Sequence, residues 1–151
     1  MKIRNGFVSN SSSSSFIIGI GKVIDLDKMK KYIADKGINI QYDFSIITKY
    51  DLKKKIPYGV NIKDNKVEIE SFSYNTVSLD TSDMNDLDIM VIWEFTGHGD
   101  DVFWNGDGYD YNIDMSIFDQ NETDIYNMFK DKDSGIDIKT SEVEYGAGRN
   151  G

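Results

Sequence analysis

Apolar and polar positions along this chain change period several times, and each change marks an element. Phe16 to Ile20 is a short apolar run rich in β-branched side chains, which predicts a buried strand. Asp25 follows as a helix cap, with Leu26, Met29 and Ile33 at helical spacing and Gly37 as the stop. Residues 38–47 alternate imperfectly as a strand, and a basic turn or short helix spans 51–56 before Pro57 ends it. Asp64-Asn65 closes a hairpin between 58–63 and 66–74, with a bulge or bend expected near Ser71, where the apolar parity slips. Residues 75–88 read as a polar loop. Ile89 to Phe95, apolar on both faces, reads as a central strand. The four glycines of 97–108 predict a loop, and 109–116 alternate as a half-buried strand. Ile125, Met128 and Phe129 mark a second helix capped by Asp119 or Asn121, and a last strand is expected over 136–145.

Strands outnumber helices and no repeat is visible, which predicts an α+β single domain with a largely antiparallel sheet of five to six strands and two helices. A length of 151 residues suits one core rather than two. Its expected limits are 16–145, between a flexible serine-rich leader (1–15) and a flexible glycine-rich tail (146–151). Aromatics at 13% supply enough apolar volume for packing despite 28% charged residues. With no cysteine, disulfides and thiolate metal sites are excluded. The run from Ile89 to Phe95, interrupted by Glu94, falls far short of the roughly 20 residues a membrane span needs. No apolar stretch precedes the serines, so a secretory signal is not expected and the reading is cytoplasmic.

Charge is distributed unevenly. Residues 1–66 hold 13 basic and 6 acidic side chains, residues 67–129 hold none and 15, and residues 130–151 hold 4 and 5. The acidic middle has three readings: internal pairing with the lysine-rich first third, a DNA-like face for a basic protein, or a solubilising surface. Direct nucleic-acid binding is disfavoured, because phosphate contact needs a basic patch and the lysines cluster only at 28–36 and 49–55.

Candidate chemistry concentrates in GHGDDVFWNGDGYDYNID, residues 97–114. Hard oxygen ligands with one imidazole suit Mg²⁺, Mn²⁺ or Ca²⁺, which makes His98, Asp100, Asp101 and Asp110 a candidate metal set. A solvated acidic loop with glycine turns accounts for the same residues. EF-hand spacing fails: with Asp101 at position 1, Phe103 falls at position 3 and Asn112 at position 12. His98 beside Asp100 or Asp101 also has the pairing of an oriented general base, although no nucleophile adjoins it. Phe103 and Trp104, inside the loop, are candidate contact aromatics with Asp100, Asp101, Asp107 and Asp110 as an acidic rim. Gly21-Lys22 is not a phosphate loop, since Phe16 and Val23 stand where Gly and Ser or Thr are required. Arg149, in the terminal GAGRNG, sits where fraying is expected.

The opening MKIRNGFVSNSSSSSFII resembles a leader found on many small proteins of tailed bacteriophages and related prophages. The likeness covers about the first 20 residues and implies a phage setting, carrying no site residue with it. Taken with the basic-free acidic segment 67–129 and the loop aromatics Phe103 and Trp104, that setting leads to the expectation of an accessory protein in the cytoplasm of an infected bacterium that binds and inhibits a host protein, a nucleic-acid-binding one in the DNA-mimic version. The alternatives are a metal-dependent hydrolase or nucleotide-binding protein using His98 and its aspartates, and a minor virion or structural protein. No cofactor beyond a divalent cation is expected.

Overall fold

A strand that is apolar on both sides must be covered on both, and this requirement organises the fold. The computed structural model describes residues 13–40, 43–99 and 115–149. In chain order the elements are β1 (Ser13–Val23), α1 (Leu26–Lys36), β2 (Phe44–Thr48), α2 (Lys49–Lys54), β3 (Val60–Lys63) and β4 (Lys66–Glu70). There follow β5 (Thr76–Asp80), β6 (Ile89–Gly99), a 3₁₀ turn (Met115–Ile117), α3 (Gln120–Met128) and β7 (Glu142–Arg149). The protein is an α+β single domain with antiparallel pairing throughout its named strands. Those strands divide into a four-stranded sheet of order β2-β6-β1-β7 and a three-stranded sheet of order β3-β4-β5.

Side chains alternate across the large sheet. Ile17, Val91 and Trp93 join Met29, Ile125, Met128 and Phe129 of the helical side in one core. Phe16, Ile18, Ile20, Met90 and Ile92 join Val67, Ile69, Val77 and Leu79 of the small sheet in a second core. At full burial each such side chain contributes about 1.5–3 kcal/mol, so these two cores supply most of the drive to fold. On the helical face Gly19 leaves a gap that the Phe129 ring fills; a Cβ there would lie 2.9 Å from two ring carbons. The glycines of GIGK are therefore packing residues.

Local signals set the helices. Asp25 caps α1 by accepting from the Lys28 amide at 3.0 Å, and Gly37, at φ 64°, ends it in the left-handed conformation. Thr48 with Asp51 opens α2, and Asp119 with Glu122 opens α3, each through a reciprocal capping box.

Several expectations are corrected. Residues 75–88 do not form one polar loop, because 76–80 are β5, with Val77 and Leu79 buried. Of the bulge or bend expected near Ser71, the structure shows the bend. The chain reverses there, with Tyr74 at φ 67° and the Ser71 hydroxyl accepting from the Ser73 and Asn75 amides. Gly97 to Gly99 extend β6 instead of opening a loop, and Met115 and Ser116 belong to the 3₁₀ turn instead of a strand. Of residues 136–145, Ile136 makes an isolated bridge with Val23 and the strand proper starts at Glu142. That strand runs on through Gly146–Arg149, where fraying was expected, because β1 extends back to Ser13 and offers a partner. The segment 109–114 lies outside the described residues.

Gly19→Ala drives a methyl into the Phe129 ring and is expected to cost about 1–3 kcal/mol. In a chain of this size that corresponds to a fall of roughly 2–12 °C in Tm by thermal denaturation. Adding Phe129→Leu to Gly19→Ala should then cost less than the two single losses together.

Candidate functional site

Asp100, Asp101, Phe103, Trp104, Asp107 and Asp110 lie outside the described residues. The backbone of His98 is at the end of β6, paired with Ser14, and Gly97 pairs with Ser15. Ser14 and Ser15 pair on their other side with Gly148 and Ala147. Both serines are buried, at 1% and 9% exposure, so the end of the serine tract is the middle of a three-strand ladder. Among the described residues no three His, Asp or Glu side chains gather as a metal site. No helix among them is long and apolar enough to cross a membrane.

Part of the charge partition is resolved internally. Lys49 Nζ donates to the carbonyls of Thr81 and Met84, both at 2.9 Å. Lys53 pairs with Asp86 at 2.8 Å and Lys22 with Asp88 at 4.0 Å. The Lys49 and Tyr50 amides donate to the Asp88 and Asp86 carbonyls. Lysines of α2, with Lys22 of β1, thus clamp the acidic turn 81–88, each exposed ion pair contributing about 0–1 kcal/mol. A hollow of about 490 Å³ at the β3–β4 hairpin likewise carries both signs, with Lys63 and Lys66 near Asp64, Glu68 and Asp80.

A different charge state prevails at the opposite end of the small sheet. Along β6 the alternation that sends Met90 and Ile92 into the inter-sheet core places Glu94 on the same face. β3 begins at Val60 and supplies only four residues, so hydrocarbon cover gives out there. Asp43 lies one residue beyond the Phe44–Trp93 pair, across the ladder from Glu94. The result is a cleft of about 230 Å³. Val60, Ile69 and Ile92 form its floor, Asp43, Ser45 and Glu94 its rim, and Pro57 and Tyr58 its wall.

The wall has a specific backbone. Gly59 adopts φ 82°, and a Cβ on it would sit 2.6 Å from Glu94 Oε1. The positive φ calls for glycine in the turn, and the missing side chain leaves room for the Glu94 carboxylate in its present position. The turn carries Tyr58 outward at 98% exposure. Half-burial, and secondarily the negative charge of Asp43, hold the Glu94 carboxyl above its ordinary value. Among the described residues neither carboxylate meets a lysine or arginine in an ion pair.

Asp43, Tyr58 and Glu94 were not among the residues expected from sequence. Glu94 did carry a signal, as the one charge within the apolar run 89–95. Comparison with protein-family models, with curated proteins and with solved structures finds no match for this chain.

The raised Glu94 pKa has a definite sign. Its ionised form is penalised in the fold, so the penalty is absent below the unfolded-state pKa, grows as pH rises to the folded-state value, and is constant above it. Glu94→Gln is expected to raise Tm at pH 7 by about 1–3 °C, a modest gain because the group is half exposed. The advantage should vanish when melting is repeated below about pH 4.

Proposed function

We propose that this is a binding protein of a tailed phage that engages a basic protein of the infected bacterium and inhibits it by occupying its basic surface. The observation that carries the reading is the charge left over after internal pairing. Of the acidic side chains in the described part of 67–129, Asp86 and Asp88 are ion-paired to lysines, Asp80 faces Lys66 across β4–β5, and Asp119, Glu122 and Asp124 accept hydrogen bonds within α3 and its cap. Glu68, Glu70, Asp83 and Glu94 have no such pair. A negative surface of this kind steers a positively charged partner and rejects nucleic acid. Host proteins that grip phosphate backbones carry the complementary surface, and the phage setting implied by the leader supplies the occasion.

The test is affinity capture with the full chain as bait against purified nucleic-acid-binding proteins of the host, with duplex DNA as competitor. Binding is expected to weaken steeply between about 50 and 200 mM salt and to be competed by DNA. Reversing Asp100, Asp101, Asp107 and Asp110 to lysine should weaken it by about tenfold or more. Retention that ignores salt, DNA and the four reversals would contradict the proposal.

A further inference from the structure

We propose that the cleft between β3 and the β2–β6 edge receives the side chain of a lysine or arginine from a basic segment of a partner protein. This rests on the binding-protein reading above and names the group that one site would take.

The cleft is built in two chemical halves. Its floor is hydrocarbon contributed by both sheets, Val60 from β3 and Ile92 from β6. Long cationic side chains bury a methylene stem against such a surface while their charged end stays in polar surroundings. Its rim is Asp43 and Glu94, brought together across the ladder with no cation beside them among the described residues. Two carboxylates held together repel, and a cation between them turns that repulsion into attraction on both sides. Tyr58 stands at the mouth, exposed on nearly all sides, with a ring face available to an entering cation.

Size and competition point the same way. About 230 Å³ is below the roughly 300–1,000 Å³ of small-molecule pockets and is on the scale of one long side chain. Lys63 and Lys66 line the hairpin hollow and Lys49 and Lys53 reach the 81–88 turn, whereas no lysine or arginine is among the residues lining the cleft. A neutral apolar side chain would cover the floor but leave both carboxylates desolvated and unpaired, which disfavours it.

The experiment is an amide ¹H–¹⁵N titration of the full chain with acetyl-Gly-Lys-Gly-amide, its arginine analogue and its norleucine analogue. The lysine and arginine peptides are expected to move the Ser45, Gly59, Val60 and Glu94 amides saturably, with Kd on the order of 1–10 mM. Norleucine should bind at least about tenfold more weakly. The isosteric double variant Asp43→Asn with Glu94→Gln should lose the lysine response by about tenfold, and Tyr58→Ala, at a fully exposed position, by about two- to fivefold. Equal binding of norleucine, an undiminished response in the double variant, or shifts spread over Glu68, Glu70 and Asp83 would overturn the proposal. A basic partner that binds wild type and double variant alike refutes the cleft and leaves the broader reading standing. A lysyl peptide filling the cleft while no basic partner binds the chain supports the cleft and refutes the broader reading.

Discussion

Everything in this molecule depends on β1 being buried from both sides. A strand reading Phe-Ile-Ile-Gly-Ile has no face to offer water, so helices must cover one side and a second sheet the other. Gly19 lets the Phe129 ring press onto the strand, which sets how closely α3 approaches the sheet. On the opposite face the Phe16 ring meets Phe72 edge-on at a centroid distance of 5.4 Å. The small sheet is fastened at its β5 edge by carboxylates of β7: Glu142 accepts from the Ser78 amide at 2.8 Å, and Glu144 from the Asn75 side chain at 3.1 Å. Those contacts occupy polar groups that an open strand edge would otherwise present to other chains.

The cleft follows from the same arrangement. β6 is eleven residues long and β3 is four, so the two sheets do not end together. Where β3 begins, the next inward-facing position of β6 is Glu94, half covered and opposite Asp43. The cost of that placement is small beside the burial of Val60, Ile69 and Ile92 next to it. A stable sandwich tolerates a carboxylate pair at its step, and a ligand cation can exploit it.

Legibility from sequence tracked the strength of local signals. The capped helices, the Asp64-Asn65 hairpin and the core of β6 were readable because each rests on contiguous residues with one dominant physical cause. β5 was not: two apolar side chains, Val77 and Leu79, stand among polar neighbours, and only the tertiary cover over them makes the alternation meaningful. The β1 and β7 extensions were missed because serine and glycine have weak strand preference alone, and pairing with each other and with β6 overrides it. The cleft was illegible because Asp43, Tyr58 and Glu94 come from separate parts of the chain and meet only once strand register is set. Glu94 alone left a trace, as a charge with no periodic reason to be where it stands. The acidic segment from Asp100 to Asp110 attracts attention by composition, and its placement lies outside the described residues.

The most direct measurement of the central claim is an intermolecular NOE experiment on the full chain with a selectively ¹³C-labelled lysyl peptide. Contacts from the lysine γ and δ methylenes to the methyl groups of Val60 and Ile92 are predicted, because the stem must lie on the floor for the ammonium to reach both carboxylates. Lysine methylenes that show no contact with those methyls, or that contact another acidic surface instead, would contradict the account.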